Sequence, residues 1–174
     1  TTRRSLVNGA QRDRVHEYVE IGKKEGAKLV CGGAPAQDGA LKDGHFYRPT
    51  IFDAVTPAMR IAVEEIFGPV LSILTVASLT EAIQVLNDTP YGLSSSIYTR
   101  DVNRAMLAIR DIEAGITYVN GPTIGAEVQL PFGGVKETGN GHREGGPTVI
   151  DAFTEWKSVY IDYSGRLQKA QIDR

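Results

Sequence analysis

From Val70 onward, apolar runs and helical faces alternate in a steady rhythm, and this alternation restricts the fold more tightly than any other feature of the chain. VLSILTV (70–76) is a largely apolar run suited to a buried strand. Ser78-Leu79-Thr80-Glu81 then has the form of a capping box, followed by Ala82, Val85 and Leu86 on one helical face, with Pro90 and Gly92 to close the helix. LSSSIYT (93–99) predicts a second strand. Asp101 caps a second helix whose Val102, Ala105, Met106 and Ile109 share a face, and ITYVN (116–120) predicts a third strand. A β-α-β-α-β order with helices of about ten residues implies right-handed crossovers. The expected class is therefore α/β, a parallel open sheet with helices on both faces. Ligands in such sheets bind beyond the carboxyl ends of the strands, which directs attention to the segment that follows Asn120.

The flanking segments complete the outline. Val15, Tyr18, Val19 and Gly22 fall on one face of an amphipathic helix predicted from about Gln11 to Lys24, with Arg12, Glu17, Glu20 and Lys23 outside and Gly26 to end it. AKLVCGG predicts a short strand, residues 33–44 a surface loop, and FYRPTIF (46–52) an extended segment in which Pro49 disfavours a central ladder position. After Pro147 a short helix over 148–153 is expected. TEWKSVYIDY then alternates as a C-terminal edge strand offering Trp156, Val159 and Ile161 for burial, before a polar, peripheral tail, SGRLQKAQIDR. No repeat or low-complexity tract interrupts this order.

The composition excludes several function classes. A net charge of −2 with 23% charged residues gives no basic surface for nucleic acid or an anionic membrane. No apolar run reaches the roughly 18 residues of a membrane span, and TTRRSLVNGA lacks the apolar core of a secretory signal. The single cysteine, Cys31, rules out an internal disulfide, so a cytoplasmic location is expected. Its apolar neighbours favour a structural thiol over a nucleophile. His16, His45 and His142 have no ligand spacing, and no metal site is expected.

The segment from Pro131 to Gly146, PFGGVKETGNGHREGG, holds six glycines and four charged residues around one large apolar group, Phe132. Such a loop is ordered only if its neighbours hold it, and Lys136, Arg143 and Glu144 are the expected anchors. Gly139-Asn140-Gly141 to Gly145 has GxGxxxG spacing and no strong strand before it, so a structural glycine loop is favoured over a dinucleotide fingerprint.

PFGG, Lys136, TGNG and Arg143-Glu144 together resemble the C-terminal signature of the aldehyde dehydrogenase superfamily, and Glu64-Glu65-Ile66-Phe67-Gly68-Pro69-Val70 resembles its EEIFGPV segment. The resemblance covers essentially the whole chain. It implies residues 1–154 as part of a catalytic domain and 155–174 as a C-terminal oligomerisation strand and tail, the strand joining a second copy in a homo-oligomer. The family's nucleophilic cysteine in a GQxC-like motif, its glutamate base in an ELGG-like segment and its cofactor domain have no counterpart here. The chain is accordingly expected to be a fragment, without catalytic residues and inactive alone, of an NAD- or NADP-dependent enzyme that oxidises a small-molecule aldehyde. The residues that would read the adenosine ribose lie in the missing domain, so the choice of cofactor stays open.

The resemblance also assigns site residues. Glu65 aligns with the glutamate that accepts hydrogen bonds from the nicotinamide-side ribose, Glu64 being the neighbouring alternative, and Phe67 aligns with the aromatic beside the nicotinamide. On an extended segment Glu65 and Phe67 would share a face. Thr123-Ile124-Gly125-Ala126 resembles the loop with which semialdehyde-oxidising members hold a substrate carboxylate, TxGAE being nearest the aminoadipate semialdehyde type; an ordinary turn is the alternative. Phe132 would line the aldehyde pocket or fill core. A non-catalytic assembly module is the rival from another class, and a phosphorylating or acyl-CoA-forming relative is a further enzymatic one.

Overall fold

The computed structural model describes residues 5–125 and 127–166. Helix α1 (Gly9–Lys24) is capped by Asn8, whose side chain accepts from the Gln11 amide, and it ends where Gly26 takes a left-handed conformation. Strand β1 (Lys28–Cys31) pairs antiparallel with β2 (Thr50–Asp53), through an irregularity between Leu29 and Cys31. Helix α2 (Arg60–Val63) leads to β3 (Val70–Ser72), which lies parallel to β2 in the register Thr50↔Val70 to Phe52↔Ser72. α3 (Leu79–Asn87), β4 (Ser94–Ile97), α4 (Val102–Asp111) and β5 (Ile116–Val119) follow, with β4 and β5 parallel from Ser94↔Ile116 to Ile97↔Val119. A short α5 (Val149–Phe153) comes after the glycine-rich loop.

Between Val70 and Val119 element order and type match the sequence reading, including both helix caps, while α2 was not expected. Ser78 accepts from the Glu81 amide while Glu81 reaches back to the Ala77 amide, one residue before the expected Ser78 amide. Asp101 accepts from the amides of both Asn103 and Arg104.

The strands are divided differently from the expectation. Among the described residues they form a three-stranded sheet, β1-β2-β3, and a separate pair, β4-β5. Alternation fixes the hand and the parallel sense of a crossover but does not say which strand receives the next ladder. β3 is only three residues long, and β4 gives its ladder to β5. The C-terminal edge strand is likewise not formed: Thr154 to Tyr163 carries no strand, and Trp156 is 87% exposed. A strand exists only against a ladder partner, and the described residues form no ladder there. Residues 167–174 of the expected tail lie outside the described residues.

The core lies between α1 and the three-stranded sheet, where Val15, Tyr18 and Val19 of the helix meet Phe52, Ile61 and Ile66. Phe52 is fully buried, and its side chain represents roughly 2–3 kcal/mol of transfer free energy. The β4-β5 half buries only small groups, Ala105, Ala108 and Ser95. Val102, Met106 and Ile109, expected to form the inward face of α4, are all exposed.

Candidate functional site

The glycine-rich loop is held as its composition requires. The amides of Val135 and Gly115 both donate to the Gly92 carbonyl, at 3.0 and 2.9 Å, and the Gly92 amide donates to the Thr138 hydroxyl at 3.1 Å. The fit of Gly115 against Gly133 leaves no space for a side chain, since a Cβ on Gly115 would lie 1.8 Å from the Gly133 carbonyl oxygen. Lys136 anchors the loop, as expected, by donating to the Asn87 carbonyl at 2.5 Å and pairing with Glu113 at 2.9 Å. Asn87 ties the same region together. Its side chain donates to the Asp111 carbonyl and accepts from the Glu113 amide, so the ends of α3 and α4 and the loop share one junction. Glu144 contributes through its backbone, exchanging both amide–carbonyl bonds with Phe132. Arg143 donates to the adjacent His142 carbonyl. No helix opens directly from Gly139 to Gly145, which agrees with a structural glycine loop.

The loop borders a hollow of about 690 Å³ to which Phe132, Thr138 and Arg143 contribute. A neighbouring hollow of about 500 Å³ is lined by Glu64 and Glu65 on one side and by Tyr91, Glu137 and Thr138 on the other. Leu93, Glu137 and Thr138 belong to both, so Glu65 and Phe132 stand on two sides of a common wall. The sequence reading did not single out Leu93, Glu137 or Thr138 as lining. Their only signal was position, two of them inside the glycine stretch and one at the start of a strand.

The two adjacent glutamates are differentiated by their partners. Glu64 is engaged: Arg60 donates to it through two nitrogens at 2.7 and 2.8 Å, and the Tyr18 hydroxyl donates to it at 2.6 Å. The Arg60 hydrogen bonds, followed by that of Tyr18, hold the Glu64 carboxyl down at about 2. Arg14 and Arg60 both stack on the Tyr18 ring at 5.4 Å. The Glu65 carboxylate, by contrast, is exposed and has no side-chain or amide partner among the described residues. It is the one with acceptor oxygens available to a ligand.

Phe67 departs from the expectation. Its φ of 57° is left-handed, which for an aromatic residue costs on the order of 1–2 kcal/mol. The segment is therefore not extended there, and sharing of a face with Glu65 does not follow from strand alternation. The ring projects outward, 74% exposed. Ile66 between them points into the core against Val15 and Tyr18.

In the expected anchor loop, Thr123 is exposed and Ile124 is 90% exposed, while the Gly125 carbonyl accepts from the Tyr118 hydroxyl. Ala126 lies outside the described residues. Tyr118 and Phe132 together line a third, smaller hollow, so Gly125 is linked to Phe132 through one tyrosine, whereas Thr123 and Ile124 face outward. Cys31 is exposed on β1, its thiol 3.8 Å from the Pro49 carbonyl. Among the described residues no cluster of histidine, cysteine and carboxylate side chains could hold a metal, and no helix is long and apolar enough to cross a membrane.

Parallel strand pairs with helical crossovers define an α/β domain, in which the hollows bordered by Glu65 and by the pinned glycine loop share Leu93, just before β4 begins, and so lie at an amino end of the strands rather than at the carboxyl ends that the strand order indicates. The comparison with known proteins narrows the class. A model of the aldehyde dehydrogenase family matches residues 2–159. An alpha-ketoglutaric semialdehyde dehydrogenase of Bacillus subtilis is 42% identical over 90% of the chain, and a betaine aldehyde dehydrogenase of Brucella anthropi 43% identical over 90%. A crystal structure of an NAD-dependent aldehyde dehydrogenase from Sinorhizobium meliloti superposes over 95% of the chain with a TM-score of 0.86 at 38% identity. One from Mycobacterium tuberculosis, complexed with NAD+, superposes over 94% with a TM-score of 0.85 at 39% identity. The chain belongs to the aldehyde dehydrogenase family. It spans about a third of these proteins' lengths, 32% of both relatives and of the first structure and 33% of the second.

Proposed function

We propose that this chain forms the C-terminal part of the catalytic domain of an NAD- or NADP-dependent aldehyde dehydrogenase, supplying the ribose contact and one wall of the aldehyde pocket. The observation that carries the reading is the contrast between Glu64, saturated by Arg60 and Tyr18, and Glu65, which leaves its carboxylate free at the edge of the cleft. A carboxylate so placed suits the paired hydroxyls of a ribose, because it accepts two hydrogen bonds and its charge strengthens both. The Glu65 side chain would orient the nicotinamide end of the cofactor, and the exposed Phe67 ring would stand beside it. When bound, the nicotinamide would take up the aldehyde's hydride. The thiolate that attacks the aldehyde carbonyl and the base that activates water for the resulting thioester would come from outside residues 1–174.

Phe132 would pack against the aldehyde from the glycine-loop side. Thr123, Ile124, Gly125 and Ala126 would receive a carboxylate at the far end of a semialdehyde substrate, with Tyr118 fixing the loop through Gly125. The relative whose name specifies a semialdehyde supports that substrate class. The exposed apolar segment over 155–163 would pair with a second copy of the protein in a homo-oligomer.

Glu65→Gln in the whole enzyme tests the reading. Loss of the charge should weaken cofactor binding by about tenfold and slow hydride transfer in a single turnover, since a hydrogen bond to a charged group exceeds a neutral one by about 1–1.5 kcal/mol. Unchanged cofactor affinity and an unchanged single-turnover rate would remove Glu65 from the site.

A further inference from the structure

Helix α1 contacts the Glu64–Gly68 segment through four side chains spaced i, i+3, i+4 and i+7: Gln11, Arg14, Val15 and Tyr18. The Gln11 side-chain amide donates to two successive carbonyls, Ile66 at 3.1 Å and Phe67 at 2.9 Å. Arg14 donates to the carbonyl of Glu65 itself at 3.3 Å. Val15, fully buried, is pressed so closely on Gly68 that a Cβ there would lie 2.4 Å from a Val15 methyl. Tyr18 holds the Glu64 carboxylate at 2.6 Å. Each residue from Glu64 to Gly68 is thus gripped by a helix some fifty positions earlier in the chain.

This grip explains how the left-handed Phe67 persists. A strained residue survives only where its surroundings over-determine it, and the two-pronged Gln11 contact brackets that residue's own carbonyl and the one before it. With the backbone fixed on both sides, and Ile66 locked into the core, the Glu65 side chain has a defined point of departure toward the cleft.

We propose that Gln11 and Arg14 are positioning residues for Glu65: they touch no ligand, and they set the place and direction of the ribose-binding carboxylate by holding the carbonyls of Glu65, Ile66 and Phe67. This rests on the reading of Glu65 as the ribose contact. The geometry makes cofactor affinity depend on polar groups of a helix that does not line the cofactor's hollow, and it distinguishes a polar function for Gln11 from the packing role of Val15.

A double-mutant cycle in the whole enzyme tests it, with NADH fluorescence giving the dissociation constant and single-turnover absorbance giving the hydride-transfer rate. Gln11→Glu keeps the side chain's length but presents an acceptor to two carbonyls, and it should weaken NADH binding by about tenfold when Glu65 is present, the loss of roughly one to two hydrogen bonds. In the Glu65→Gln background the same substitution should change affinity by less than about twofold, because coupled positions are non-additive. Arg14→Ala carries the same cycle through a single surface bond should Gln11→Glu fail to fold. Equal losses in both backgrounds, or no loss in either, would overturn the positioning role. If Glu65→Gln alone leaves NADH affinity unchanged, the ribose assignment itself falls, a result separable from failure of the clamp.

Discussion

Replacing Gly115 by alanine examines the junction on which the cleft depends. The residue does not need a left-handed backbone; what it lacks is space. The added methyl would sit 1.8 Å from the Gly133 carbonyl oxygen, 2.8 Å from the Gly133 carbonyl carbon and 3.0 Å from the Gly134 Cα, all of them backbone atoms with no rotamer to change. Ordinary contact requires the loop to retreat by about 1.5 Å, well beyond the small gaps over which dispersion contacts survive. Three hydrogen bonds span the seam, from Gly115 and Val135 to the Gly92 carbonyl and from Gly92 to Thr138. At about 1 kcal/mol each, parting all of them costs roughly 3 kcal/mol, and parting only the first roughly 1 kcal/mol. The expected loss in urea unfolding is therefore about 1–3 kcal/mol, seen as a lower midpoint at unchanged m-value. Gly121→Ala is the matched control, since its nearest neighbour is a Tyr118 ring carbon at 4.0 Å, and it should fall within about 0.5 kcal/mol of the parent. A Gly115→Ala protein as stable as the control would mean that the glycine loop does not rest on the start of β5, and the shared wall between the two hollows would be lost with it.

Two further expectations concern charge and assembly. Glu64 titrates near 2 in the fold against an ordinary 4.5, so its contribution to stability is complete above about 4.5 and is lost as the pH falls through 2; Glu64→Gln should lower the slope of unfolding free energy against pH in that window by up to about one proton, and an unaltered slope would show that Arg60 and Tyr18 do not hold the carboxylate. Trp156 is the chain's only tryptophan and is 87% exposed, so emission from the isolated chain should be that of solvated indole, readily quenched by acrylamide, and should shift to the blue with reduced quenching if 155–163 pairs in an oligomer; identical spectra in both states would refute that pairing.

Most element positions were legible in the sequence because their signals are local. Helix caps at Ser78 and Asp101, the turn at Gly26 and the apolar runs around β2 to β5 depend on neighbours a few residues away, and each appears within a few residues of its expected position. The anchoring role of Lys136 followed from the need of a glycine-rich loop for a charged tether. The motif wording around Glu65 and Pro131 was specific enough to identify the family. Other features depend on which distant surfaces meet, which periodicity does not encode: the split into two sheets, the exposure of Val102, Met106 and Ile109, and the absence of a strand at 155–163.

The two glutamates mark that division most clearly. Sequence alone placed a carboxylate pair beside Ile66 and gave Glu65 the functional role by resemblance. The tertiary structure distinguishes the pair, adding Tyr18 to the local Arg60 contact on Glu64 and leaving the Glu65 carboxylate without a side-chain or amide partner among the described residues. The same holds for Phe67, whose apparent place on an extended run gave no sign of a left-handed backbone. The carbonyl of that residue is held by Gln11, a residue remote in sequence whose hydrogen bonds form only when α1 packs on the segment. Local chemistry determined what each stretch could become, and long-range packing decided which of its polar groups were used up in holding the fold and which remained for a ligand.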